Sequence, residues 1–158
     1  MSKAPVMPPE ATPLEAFLNG QAVRAQEYLG AHPDQVDGQE GYRFRVWAPH
    51  AKAVGVMGDF NGWNQVGNLL DCVGGGVWEG FIPGLKQYDT YKYAIEARDG
   101  RMLAKSDPYA FHAETRPGNA SKLYDLSGYA WGDQSWLKYR KDHPVYHAPL
   151  NIYEVHLG

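Results

Sequence analysis

The chain has 158 residues, a formal charge of −3 and a pI near 6.0, a length that suits one domain with an appendage. Its mild acidity leaves no electrostatic footprint for nucleic acid or an anionic membrane, and no apolar run approaches the ~18 residues of a spanning helix. A single cysteine, Cys72, excludes an internal disulfide and fits a reducing compartment; with no apolar signal-peptide core after Met1, the expected location is the cytoplasm.

Residues 1–11 are Pro-rich and are expected to be a disordered tail. Thr12, Pro13 and Glu15 then stand where an N-cap, a first helical position and a capping box require them, and Asn19-Gly20 supplies the stop. Residues 21–29 are read as a second short helix ending at Gly30, giving a helical prelude over 12–38. From Gly41 the apolar period changes to two. Tyr42, Phe44 and Val46 alternate with Arg43, Arg45 and Trp47, and Val54 and Val56 mark a second strand ending at Gly58. Asn61-Gly62 predicts a tight turn, and Asp59 beside it is expected to bond its own backbone. Gly74-Gly75-Gly76 lacks the lysine and helix of a phosphate loop and is read as a turn. Beyond it, Trp78, Gly80 and Ile82 share one face of a strand. Tyr91, Tyr93 and Ile95 face inward in the next, with Lys92 and Glu96 outward. Asp99-Gly100 turns the chain into Arg101–Lys105, and a long loop leads to a last short strand near Lys122–Tyr124. About seven short strands at this spacing predict a mainly β, immunoglobulin-like sandwich over 39–127. Residues after Tyr129 read as irregular, and Leu150–Gly158 as an apolar strand without a turn or partner.

Five segments occur in one order: Tyr28-Leu29-Gly30-Ala31-His32, Val46-Trp47-Ala48-Pro49, Gly58-Asp59-Phe60-Asn61-Gly62-Trp63, Lys105-Ser106-Asp107-Pro108-Tyr109-Ala110 and Tyr153-Glu154-Val155-His156-Leu157-Gly158. Together they resemble the bacterial glycogen (1,4-α-glucan) branching enzymes. The resemblance implies a cytoplasmic glycosyltransferase that cuts an α-1,4-glucan and rejoins it through an α-1,6 bond. It also implies an amino-terminal sandwich of carbohydrate-binding module family 48, and it identifies 128–158 as a linker plus the first strand of a (β/α)₈ barrel. Such a barrel needs roughly 250 residues. A retaining mechanism needs two carboxylates about 5–5.5 Å apart. The resemblance implies that the nucleophilic Asp and general-acid Glu sit on later barrel strands, beyond position 158, so this chain is expected to have no catalytic residues and no branching activity alone. Its expected partners are α-glucan and the barrel of the full enzyme, with no cofactor, nucleic acid or membrane. The rivals are a free-standing glucan-binding regulatory module and the front of a trehalohydrolase or debranching enzyme.

The resemblance carries over three glucan-contact candidates: Trp63, Lys92 and Asn61. Trp63 either stacks on a glucose ring or anchors the hairpin against core or barrel, and Lys92 is either a sugar contact or a solvated strand residue. Where strong members of the module carry a second stacking Trp, this chain has Arg101-Met102-Leu103, so an affinity in the mM range, on the order of −4 kcal/mol, is expected. Glu154 and His156 share one strand face, read as structural ahead of an acid–base pair. His143 and His147 have ligand-like spacing, but Pro144 breaks the helix that would align them, so no metal site is expected.

Overall fold

A computed structural model describes residues 11–144, 146 and 149–158; the predicted tail over 1–10 and His147 lie outside the described residues. The chain divides into two compact units, one reaching Asp125 and the other beginning at Leu126.

In the first unit Thr12 caps α1 (Pro13–Leu18) through a reciprocal box. The Glu15 N–H donates to Thr12 Oγ1 at 3.3 Å, and the Thr12 N–H donates to Glu15 Oε2 at 2.8 Å. This helix is too short to hold itself, and it docks by its apolar side. The Phe17 ring meets Trp47 edge-on at 6.1 Å, and Leu18 fills the space that a β-carbon on Gly75 would need. Residues 21–29 form only a 3₁₀ turn, Ala25–Glu27, in place of the expected second helix.

Nine strands follow among the described residues: β1 (Gly30–Val36), β2 (Gln39–Trp47), β3 (Ala51–Gly58), β4 (Asp71–Gly74), β5 (Val77–Pro83), β6 (Thr90–Ala97), β7 (Met102–Lys105), β8 (His112–Ala113) and β9 (Ser121–Lys122). One antiparallel sheet has the order β1-β2-β5-β4 and the other β3-β6-β9-β8. Strand β3 lies along one edge of β6, while β9 and β7 share the other edge. The free edge of β3 is covered by the following loop, since Val56 N donates to Asn68 O and Leu70 N to Val54 O, each at 2.8 Å.

The two-residue period decides which side chains meet between the sheets. Tyr42, Phe44, Val46 and Ile82 come from the first sheet, and Val54, Val56, Tyr91, Tyr93 and Leu123 from the second side. Phe44 is fully buried, and its ring meets Tyr91 edge-on at 5.2 Å. The other face of the first sheet is occupied by ions. Arg43 bonds Asp34 at 2.5 Å and Glu79 at 2.9 Å, Arg45 bonds Glu79 at 2.5 Å, and Arg45 lies over the Tyr28 ring. Asp107 joins the second sheet to its loops. Its buried carboxylate accepts from Tyr91 Oη at 2.7 Å, Tyr93 Oη at 3.3 Å and the Tyr109 N–H at 2.8 Å. Burial pushes this carboxyl up from its ordinary pKa, opposed by the hydrogen bonds from Tyr91, the Tyr109 N–H and Tyr93.

Four further expectations differ from the structure. The prelude over 12–38 contains a strand, β1; it is an edge strand, which tolerates Pro33, and its Gly-Ala-His-Pro-Asp-Gln run has almost no β-branched signal. The long loop holds β8, and the last strand is Ser121–Lys122 instead of the expected Lys122–Tyr124. In the second unit, the segment read as irregular contains α2 (Gln134–Asp142), a helix with an exposed Lys138–Asp142 pair one turn apart and no buried face to give it an apolar stripe. Residues 150–158, read as a strand, carry no ladder pairing among the described residues and are exposed throughout. A strand is defined by a partner for its N–H and C=O groups, which this segment does not have here.

Phe44→Ala should lower stability by about 3–5 kcal/mol in urea unfolding, the range for deleting a buried aromatic ring. A loss under 1 kcal/mol would mean that the two sheets do not close on this residue.

Candidate functional site

Antiparallel pairing gathers the site at one end of the second sheet. Strand β3 ends at Gly58 opposite Tyr91, so the loop after β3 lies beside the start of β6. That loop begins with a 3₁₀ turn, Asp59–Asn61, and then passes through two left-handed residues, Gly62 (φ 62°) and Trp63 (φ 59°). Glycine adopts this conformation freely. For Trp63 it has a cost that the surrounding bonds must offset.

Asn61 supplies those bonds. Its Oδ1 accepts from the N–H groups of Gly58 at 3.0 Å and Asn64 at 3.2 Å, and its Nδ2 donates to Val56 O at 3.0 Å and Asn68 Oδ1 at 2.7 Å. Both ends of the amide are therefore engaged in the loop. Trp63 is held twice more, its backbone N–H donating to Gly58 O and its indole Nε1 to Asp59 Oδ1, each at 2.8 Å. Even so, the residue is 38% exposed, which separates it from the core tryptophan Trp78, whose Nε1 donates to Ala48 O from a partly buried position.

In place of the expected bond to its own backbone, Asp59 bonds two other side chains. Its carboxylate takes the Trp63 indole on one oxygen and the Thr90 hydroxyl on the other, linking the loop to β6. Because Tyr91 and Tyr93 point inward, Thr90 and Lys92 point out. Lys92 Nζ donates to Asn119 Oδ1, drawing the loop before β9 toward the same face. The structure thus brings Trp63 and Lys92 onto one end and face of one sheet through Asp59 and Thr90, with Asn61 beneath as a brace. Sequence reasoning missed Thr90 and Asn119. Thr90 was accessible from the parity of Tyr91 and Tyr93, whereas nothing local marks Asn119, which arrives by strand register.

The remaining candidates lie in the second unit. Glu154 and His156 bond at 3.0 Å, with side chains 83% and 89% exposed, so no cavity surrounds them. His143 stacks on Tyr139 with ring centres 4.2 Å apart. Among the described residues no three His, Cys, Asp or Glu side chains gather at metal-binding distance, and no helix is long and apolar enough to cross a membrane.

Residues 28–110 match the family profile of Carbohydrate-binding module 48 (Isoamylase N-terminal domain). The chain belongs to carbohydrate-binding module family 48. Within this setting it is 46% identical over 145 residues to the 1,4-alpha-glucan branching enzyme GlgB of Thermosynechococcus vestitus, which covers 92% of this chain and 19% of that protein. The enzyme of the same name from Bacillus subtilis is 42% identical over 151 residues, 95% of this chain and 24% of the relative. The chain therefore spans about a fifth to a quarter of the length of the curated relatives it matches. A pullulanase type I from Bacillus subtilis shares the fold at a TM-score of 0.50 and 20% identity, over 65% of this chain and 14% of that one. The family match takes in the whole Trp63 loop and Lys92, and it ends before β8 and β9.

The bonds from Thr90, first, and Trp63 hold the Asp59 carboxyl below the ordinary aspartate value of 3.8. A depressed folded pKa means that the grip on Trp63 is complete above the ordinary value and is lost as pH falls through the lowered one. The Trp63 indole N–H resonance should therefore stay fixed from pH 8 to pH 4 and move only below about 3.8, and the transition should vanish in Asp59→Asn. Movement near pH 6 would place the controlling group elsewhere.

Proposed function

We propose that this chain is the accessory module of a cytoplasmic 1,4-α-glucan branching enzyme and that it holds α-glucan weakly through Trp63 and Lys92. The observation that carries this reading is Trp63 itself. An aromatic ring is kept exposed, on a left-handed backbone, by the bonds of Asn61 and Asp59, in a chain of a carbohydrate-binding family. A flat indole supplies a large apolar area with little conformational freedom to lose, which suits the apolar face of a glucose ring. Lys92, fixed by Asn119, adds a hydrogen-bond donor to sugar hydroxyls. Asn61 acts as a positioning residue, since its amide is already engaged. Arg101-Met102-Leu103 in place of a second stacking Trp supports the weak, mM affinity.

The longer protein would carry the catalytic barrel, cutting α-1,4 chains and rejoining them as α-1,6 branches. Under this proposal the barrel also covers part of the second unit. The supporting observation is the exposure of Trp131, Trp136, Ile152 and Tyr153, more apolar surface than a short segment ordinarily leaves in water.

Affinity electrophoresis in gels containing glycogen tests the binding half. The 158-residue chain should be retarded; Trp63→Ala should abolish the retardation without altering the fold, and Lys92→Ala should reduce it about three- to tenfold in apparent Kd. No retardation of the unsubstituted chain at high glycogen would leave only the packing role against the barrel.

A further inference from the structure

The same end of the second sheet carries another group of rings. Tyr88 lies just before β6, Tyr124 just after β9 and His112 at the start of β8. Since β6, β9 and β8 alternate in direction, with Thr90 opposite Lys122 and Lys122 opposite His112, all three residues stand at the end where Trp63 stands. His112 and Tyr124 are stacked, with centroids 5.6 Å apart and planes at 28°, and Tyr88 meets each of them edge-on at 5.7 Å. Tyr88 is 53% exposed, and His112 is exposed.

Tyr88 also shares an oddity with Trp63: the described non-glycine residues at positive φ are Asp37, Trp63 and Tyr88, the last at φ 76°. A tyrosine has no intrinsic use for the left-handed region, where a glycine or asparagine would be easier. Its backbone is locked there by the Tyr88 N–H donating to Leu123 O at 2.8 Å. Backbone strain that presents an exposed side chain is found at ligand clamps more than in plain surface turns. The loops of Trp63 and Tyr88 also share a depression of about 380 Å³, lined by Phe60, Asn61 and Asn68 from one and Gly84, Leu85 and Asp89 from the other.

We propose that Tyr88, His112 and Tyr124 form a second stacking platform for the same α-1,4-glucan chain that Trp63 contacts. Tyr124 and His112 lie outside the matched family segment of 28–110. From the loop after β3 to β9 is two strand spacings, about 10 Å, so a ligand touching both platforms is an oligosaccharide and not a single glucose. The platform rests on the reading of Trp63 as a glucan contact. Two linked contacts on one chain also make binding depend on chain length, because the second becomes intramolecular.

Calorimetry or NMR titration of the 158-residue chain with maltose and with maltoheptaose tests this, using Tyr88→Gly, His112→Ala and Trp63→Ala. Tyr88→Gly removes the ring and frees the left-handed position, so its melting temperature should hold or rise. It should weaken maltoheptaose about three- to tenfold and leave maltose nearly unchanged, with His112→Ala acting in the same direction. Loss of binding on Trp63→Ala alone, with both other variants unaffected, would overturn the second platform and leave the Trp63 reading standing. A lower melting temperature in Tyr88→Gly without weaker maltoheptaose binding would make the rings a packing device and overturn it likewise. No binding of either sugar by the unsubstituted chain would overturn both.

Discussion

Strand β6 is where the fold and its site are decided together. Tyr91 and Tyr93 face the core and are buried, and both hydroxyls reach the buried Asp107. That parity leaves Thr90 and Lys92 no choice of face. A one-residue slip would put the tyrosines in water and bury a lysine, so register here is enforced by burial on one side and determines chemistry on the other. Burial also pushes the phenol of Tyr91 far up, so it remains a hydroxyl donor to Asp107 across the accessible pH range.

From β6 outward, short polar contacts convert strand register into a surface. Asp59 takes Thr90 on one side and the Trp63 indole on the other, and Asn61 ties the same loop to Val56 and Asn68. Lys92 draws in Asn119. None of these bonds is long-range in space, yet they join residues as far apart in sequence as 59 and 90. The opposite sheet follows another plan. Its outward face holds the Asp34–Arg43–Glu79–Arg45 ion network, which satisfies its charges internally. The two outward faces are thus chemically unlike: the first sets guanidinium groups over Tyr28 and Phe81, and the second gathers Trp63, Tyr88, His112 and Tyr124 at one end.

Much of this was legible in the sequence because it rests on alternation and turn chemistry. The capping box at Thr12, the inward set Tyr42, Phe44 and Val46, the parity of β6 and the Asp99-Gly100 hairpin are local patterns with local causes. The place of Trp63 after the Asn61-Gly62 turn and the outward placing of Lys92 by the parity of β6 are likewise local. Three things were hidden. Strand β1 is rich in Pro, His, Gln and Asp and exists because β2 offers it an edge, so no propensity announced it. Helix α2 has no buried residue and therefore no apolar period to detect. Asn61, which the resemblance offers as a sugar contact, has its amide occupied by the loop, and only the hydrogen bonds reveal this. Strand register, invisible to a sequence scan, brought Asn119 to Lys92 and the rings of His112 and Tyr124 to Tyr88.

The most direct test of the central claim, that the β6 end of the second sheet is the glucan face, is a residue-resolved NMR titration of the chain with maltoheptaose. Shifts concentrated on the Trp63 indole, Thr90, Lys92 and Asn119, with the Arg43–Glu79 face silent, are the predicted result. Shifts centred on that ion-paired face or on Trp136 and Tyr139 of α2, with the Trp63 signal unmoved, would contradict it.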